Sequence, residues 1–390
     1  MTSLTITDKE HKEDEDLVEF SLGDVITVVM EGEVYRELSR HHSDEVIVSS
    51  SEEKLVLNDV TGRELVYVSE AAGIPLYGHI AFGIIDRGTN LIQVRPMTGC
   101  NLNCIFCSAC EGPESELLKT DYVVDLDYLM DELEQLVSRK GEGVEVHIDG
   151  QGEPGFYPDF KELVRRAKQL KEVEVVSVQT NGHSLNEEDI GELEGWLDRI
   201  NLSLNTLGGN LAEKMSGKHG YDLQHVKKLI HRCVDSGIDI LIAPVWVPGV
   251  NDDDMIDMIE FSKSNIENER WPVLGIQKYV PYKRGRRLDV GVMSFYRFYK
   301  ELKRLEEKFD TKLRLRPEDF DIEYRRSCKE RFSKGERIRA SLKAPGRRDG
   351  EMIAVARDRA LSVETEKQVG EEVTCKVVRT KHDIYHAVGS

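Results

Sequence analysis

From residue 90 onward the apolar positions of this chain switch regularly between two periods. A strand-like run at 90–96 is followed, after a loop, by Leu126, Leu129, Leu133, Leu136 and Val137 at helical spacing, and then by a short β-like run at 144–148. The same alternation predicts helix 158–170 and strand 173–178, helix 187–197 and strand 199–204, and helix 222–235 and strand 238–247. Helix 253–263, strand 273–279 and a closing helix at 294–309 complete it. Six βα units call for parallel strands with helices packed outside them. Six is short of the eight that close a barrel, so the pattern predicts a partial (βα)6 barrel with a lateral opening and its site at the C-terminal strand ends.

The flanks carry a different pattern. Residues 1–85 begin with an acidic, disordered-looking tail and continue as a β-rich module, with strand-like runs at 25–30, 46–50, 54–57 and 65–68. From about Gly335, short runs at 338–342, 352–355, 360–363, 373–378 and 384–388 are separated by turn residues, which predicts a small β-barrel of OB-like type. The expected fold class is therefore α/β: a partial barrel over 86–325, between an N-terminal β-rich module over 1–85 and a small β-barrel over 330–390.

Composition narrows the class. The chain has 390 residues, 39% of them apolar, and no apolar run of the roughly eighteen residues that a membrane helix needs. Its first residues are polar and charged, unlike a secretory signal, so a cytoplasmic location and no membrane partner are expected. The net charge of −19 argues against a whole surface built to bind nucleic acid, because phosphate binding rests on clustered Lys and Arg. Two local patches run against that acidity. One holds Lys329, Arg331, Lys334, Arg337, Arg339, Lys343, Arg347 and Arg348; the other holds Lys278, Lys283, Arg284, Arg286 and Arg287, interleaved with Tyr279 and Tyr282. Basic residues mixed with aromatics suit RNA, while solvated faces balancing nearby acids account for the same runs.

Chemistry concentrates in the loop after the first barrel strand. Cys100, Cys104 and Cys107 are spaced C-x3-C-x2-C, and Cys110 follows at one further C-x2-C step. Such crowding is wrong for a disulfide framework and right for a metal site in a reducing compartment. Three thiolates hold three irons of a [4Fe-4S] cube and leave the fourth open. The competing expectation is a structural zinc closed by Cys110, although zinc sites usually draw two ligand pairs from separated segments.

The C-x3-C-x-aromatic-C loop, with Phe106 before the third cysteine, resembles that of the radical S-adenosylmethionine (SAM) enzymes. The resemblance implies a [4Fe-4S] cluster on Cys100, Cys104 and Cys107, SAM on the open iron, and reductive cleavage of SAM to a 5'-deoxyadenosyl radical. It also implies a low-potential electron donor of ferredoxin or flavodoxin type. Further segments fall in the family's order, each at a predicted strand end. Asp149-Gly150-Gln151-Gly152-Glu153-Pro154 is similar to the family's Gly-Gly-Glu-Pro motif, except that Gln151 separates the glycines. Gln179-Thr180-Asn181-Gly182 and Ser203-Leu204-Asn205 follow, then Pro248-Gly249-Val250-Asn251-Asp252 and Gly275-Ile276-Gln277-Lys278-Tyr279. By resemblance Gly152, Glu153, Thr180, Asn181, Ser203, Asn205 and Gln277 are SAM contacts, with Gly275, Val247 and Ile276 as an adenine slot. Ordinary turns and satisfied buried polar groups account for the single segments equally well.

Overall the chain looks closest to archaeal-type members. The C-terminal barrel resembles the TRAM domain of RNA-modifying enzymes, which points to RNA (tRNA or rRNA) as substrate. A protein, peptide or lipid substrate, or a metal-stapled RNA-binding protein without catalysis, are the alternatives. The N-terminal module holds no cysteine, which departs from the methylthiotransferases, and shows no cobalamin-binding His motif. Cys110 reads as a bystander, Cys233 as core, and Cys328 with Cys375 as an accessory pair only if the barrel folds back.

Overall fold

The computed structural model describes residues 6–12, 14–51, 54–327 and 331–389. Its central sheet has the strands Leu91–Arg95, Val144–Ile148, Val173–Thr180, Arg199–Leu202 and Asp239–Ile242 side by side and parallel, with Gly83–Asp86 added antiparallel at the outer edge. The sixth parallel strand is short. It meets Ile242 at Leu274 and pairs Gln277–Lys278 with Val245–Trp246. Helices Leu126–Lys140, Phe160–Gln169, Glu187–Leu193, Leu223–Asp235, Asp254–Asn265 and Phe295–Phe309 alternate with these strands, which makes the expected incomplete (βα)6 barrel.

Each barrel strand alternates its side chains. Val144, Val146 and Ile148 join the apolar core under the helices. The alternate positions form a polar interior instead: Arg199 pairs with Glu145, Ser177 donates to Glu145 at 2.5 Å, and His147 meets Ser177 at 2.7 Å. Arg199 is 2% exposed and lies between the Trp271 and Phe320 rings, at 4.7 and 5.1 Å. Buried charges persist only when paired and hydrogen-bonded, and this pair plugs the floor of the barrel.

The N-terminal sheet runs Ile6–Lys12, Leu17–Leu22, Ile26–Glu31, Leu55–Asn58, Arg63–Val68 and then Thr120–Val124, which returns from beyond the cysteine loop to pair parallel with Arg63–Val68. Three expectations are corrected here. The start of the chain, from residue 6, is a strand of a hairpin rather than a tail. The run at 46–50 is helical, within Asp44–Ser50: Ser43 stands at its N-cap and Asp44 and Glu45 fill its first turn, where acids favour a helix over the β-branched content of Val46, Ile47 and Val48. Likewise the run at 238–247 is two strands, broken at Ala243-Pro244 because Pro244 has no N–H for a ladder.

All five C-terminal runs are strands of one closed barrel, ordered Arg337–Pro345, Glu351–Ala356, Arg359–Glu364, His386–Gly389, Glu372–Arg379. Cys375 is buried in its core and Cys233 in the main core, while Cys328 lies outside the described residues. No helix among the described residues is long and apolar enough to cross a membrane.

Candidate active site

The cysteine loop leaves strand Leu91–Arg95 and is clamped from three sides. Below, Gly99 bridges Gly152, and the Glu153 N–H donates to the Gly99 carbonyl at 2.8 Å. A Cβ on Gly152 would stand 2.3 Å from that carbonyl, so the motif glycine serves the loop's own backbone. To one side, the Ile105 N–H donates to Met215 at the end of helix Gly209–Ser216. Above, Arg286 donates from its backbone to the Cys107 carbonyl at 2.8 Å and from its guanidinium to the Cys104 carbonyl at 3.1 Å. A Cβ on Gly285 would meet the Cys107 carbonyl at 2.7 Å.

Cys100, Cys104 and Cys107 border one cavity of about 330 Å³ at the barrel mouth. The same cavity is bordered by Gly152, Glu153, Thr180, Asn181, Ser203, Asn205 and Gln277, so the structure brings these seven candidate SAM contacts to one place. Burial pushes the Cys104 thiol up to about 12 and raises Cys100 well above its ordinary value, the latter also through Cys104 and Glu153. Cys107 is raised by burial as well. Thiols held this way keep their protons until a metal displaces them. Two donors face the sulfurs: the Glu111 N–H lies 3.3 Å from Cys107 Sγ, and Asn181 Nδ2 lies 3.6 Å from Cys100 Sγ.

Cys110 is separate. It is buried outside this cavity, in a left-handed turn at φ 62°, and its sulfur accepts from Ser115 Oγ at 3.6 Å. Among the described residues no three Cys, His, Asp or Glu side chains converge as ligands of one ion. A four-thiolate zinc site loses its fourth ligand, because Cys110 lies outside the cavity that the other three thiols border. Three thiols on one cavity are the ligand set of a cube that carries each thiolate on a different iron.

Glu153 braces the strand ends. Fully buried, its Oε1 accepts from Thr180 Oγ1 at 2.6 Å, Ser184 Oγ at 2.8 Å and Gly155 N at 3.1 Å, and its Oε2 accepts from Asn181 N at 2.7 Å. Burial still raises its pKa against those four donors. Asn205 is a second brace: its Oδ1 accepts from Val245 N at 2.8 Å. Ser203 Oγ accepts from Gln179 Nε2 at 2.9 Å, and Gln277 is exposed at the rim. The expected adenine slot is not formed by Gly275, Val247 and Ile276. Gly275 faces Leu315 and Leu241, and Ile276 and Val247 are buried in apolar clusters. The apolar wall consists of Leu204, Met215, Val245 and Tyr279, which Tyr279 joins as a buried side chain rather than a surface base-stacking platform. Glu111 is a site residue that the sequence did not single out, and Arg286, read from the sequence as part of a basic patch, holds the cysteine loop instead.

An incomplete parallel barrel with three thiols on the loop after its first strand defines a class. The Radical SAM superfamily model matches residues 94–262. These residues are thus a radical SAM domain, and the chain is an enzyme with a [4Fe-4S] cluster and SAM as cofactors. It is 36% identical over 363 residues to an uncharacterized protein of Methanocaldococcus jannaschii, covering 87% of this chain and 83% of that one. It is 33% identical over 198 residues to the GTP 3',8-cyclase of Limosilactobacillus fermentum, covering 48% of this chain and 54% of that one, so it spans about half the length of that relative. Streptococcus suis SuiB bound to S-adenosylmethionine is a looser likeness: 18% identity, TM-score 0.43, covering 63% of this chain and 51% of that one.

Proposed function

We propose that the enzyme cleaves SAM reductively in the cysteine-lined cavity and turns the radical on a phosphate-bearing, nucleotide-type substrate, with RNA favoured. The observation that carries this is the convergence of three thiols and seven candidate contact residues on one cavity at the barrel mouth. When bound, the cluster on Cys100, Cys104 and Cys107 supplies the electron that breaks a carbon–sulfur bond of SAM. The chain's residues supply position. Glu153 fixes the Thr180-Asn181 turn and keeps one open lone pair on Oε2 for the SAM ammonium, Ser203, Asn205 and Gln277 edge the polar wall, and Leu204, Met215 and Val245 seat the adenine. Glu153, Thr180, Leu204 and Met215 are buried and keep water from the radical. An electron donor of ferredoxin or flavodoxin type delivers the reducing equivalent.

RNA is supported by the outward face of strand Arg337–Pro345, where Arg337, Arg339 and Lys343 are exposed in a row, and by the exposed Tyr282 beside Lys283. Four residues of the basic runs are engaged elsewhere: Arg347 is buried in an ion network, Arg286 holds the cysteine loop, Arg284 pairs with Glu351 and Glu364, and Arg339, though exposed, pairs with Glu372. A free nucleotide is the second reading, favoured by the likeness to a protein named GTP 3',8-cyclase.

Anaerobic reconstitution with iron and sulfide should give a brown protein that converts SAM to 5'-deoxyadenosine after reduction; no such product sinks the proposal. Replacing Arg337, Arg339 and Lys343 by Gln should lower the log–log salt slope of RNA binding by about two to three. An unchanged slope turns the choice to the free nucleotide.

A further inference from the structure

A second cavity of about 360 Å³ lies between the barrel mouth and the C-terminal barrel. Ser108, Ala109, Gln151 and Tyr282 border both it and the cysteine-lined cavity, so the two adjoin. Its charge is unbalanced. Five cations, Lys283, Arg284, Arg347, Arg348 and Arg379, stand against one carboxylate, Glu351. Arg347 is matched by Glu111 and Asp121, and Arg284 by Glu351 and Glu364. Lys283, Arg348 and Arg379 have no ion pair among the described residues.

Two buried polar atoms in the same wall also lack partners in the described structure: Arg347 Nε, on a side chain 4% exposed, and His386 Nδ1. Burial and the neighbouring Arg284 pull Arg348 below its ordinary pKa. Like charges crowded into a half-buried wall, with the Arg347 Nε–H as a spare donor, are relieved by an anion with several acceptor oxygens.

We propose that this second cavity is a phosphate subsite, in which Arg348, Arg379 and Lys283 hold a phosphoryl group of the substrate and Tyr282 separates it from the reacting end. The subsite rests on the proposed SAM chemistry next door and adds where the substrate is gripped. The phosphate belongs either to a free nucleotide or to RNA.

Calorimetric titration of the iron-loaded full chain with inorganic pyrophosphate tests this. One saturable site is expected, and Arg348→Gln and Arg379→Gln should each weaken it about tenfold, one charge-assisted hydrogen bond apiece. Lys334→Gln, on the exposed surface of the same barrel, should leave it unchanged. No saturable binding, or equal affinity in a double variant with wild-type circular dichroism, overturns the subsite. Displacement of pyrophosphate by mononucleotides assigns the phosphate to a free nucleotide; displacement only by an oligoribonucleotide assigns it to RNA; displacement by neither overturns it. Wild-type protein that binds pyrophosphate but does not cleave SAM sinks the SAM reading alone, and the converse sinks the subsite alone.

Discussion

Asn181 reaches Cys100: its Nδ2 lies 3.6 Å from the Cys100 sulfur, while its backbone N–H is fixed at 2.7 Å by Glu153. A donor on a cluster sulfur stabilises the reduced, more negative state and so raises the potential. Asn181→Ala should retain the cluster and lower its reduction potential by roughly 20–50 mV, the equivalent of one modest hydrogen bond. Potentiometric titration followed by electron paramagnetic resonance measures it, and an unshifted potential removes Asn181 from this role.

The Glu153 carboxylate satisfies two hydroxyls and two backbone amides. Glu153→Ala leaves all four donors buried without it, at about 1–3 kcal/mol for each that finds no water. Loss of at least about 3 kcal/mol in urea unfolding is expected. A loss under 1 kcal/mol would show that the strand ends do not depend on this brace.

Cys110→Ala should leave the iron content of the reconstituted protein unchanged, because that sulfur faces Ser115 and not the cavity. Cys100→Ala, Cys104→Ala and Cys107→Ala should each lose the brown chromophore. Iron assays on the four variants decide it, and a colourless Cys110→Ala protein would restore a fourth ligand.

Arg347, from the C-terminal barrel, pairs with Asp121 at 2.9 Å and with Glu111, while Arg63 approaches both acids from the N-terminal sheet at 3.4 and 3.6 Å. Breaking a buried pair from one side costs about 3–5 kcal/mol. Arg347→Met should lose that much in chemical denaturation, and the double variant with Glu111→Gln should lose less than the two single losses summed. Strict additivity would argue against coupling.

His79 is buried with its Nε2 on Ser362 at 2.8 Å, and burial, with Arg347 and Arg95 nearby, pulls its pKa down to about 3. The unfolded value is near 6.5, so the unfolded chain takes up the proton first. Stability is therefore lost as pH falls from about 6.5 towards 3, by up to about 1.4 kcal/mol per pH unit. His79→Gln should remove that slope between pH 6 and 4 in urea titrations. An unchanged slope assigns the acid sensitivity to other groups.

The parallel barrel was legible because its strands are short β-branched runs and its helices keep a clear apolar stripe, as at 144–148 and 126–137. Local competition hid the rest. Acids after Ser43 turned Val46–Ile47–Val48 helical, and helix Gly209–Ser216 opens on Gly208-Gly209, a poor helix start by composition. The cysteine loop and the strand-end motifs announced the cavity because each is local in sequence. The Arg347–Asp121 pair joins residues 226 apart, and no periodicity or motif can reveal a contact made only by tertiary folding.

That pair also limits how the chain can be cut. The Glu111 amide that points at the Cys107 sulfur belongs to the residue whose carboxylate Arg347 grips, so the last strands reach the metal-binding loop through the Arg347 side chain. Grafting a foreign barrel onto this catalytic half, or trimming the native one to make a minimal enzyme, would strand two carboxylates behind the cofactor and loosen its seat.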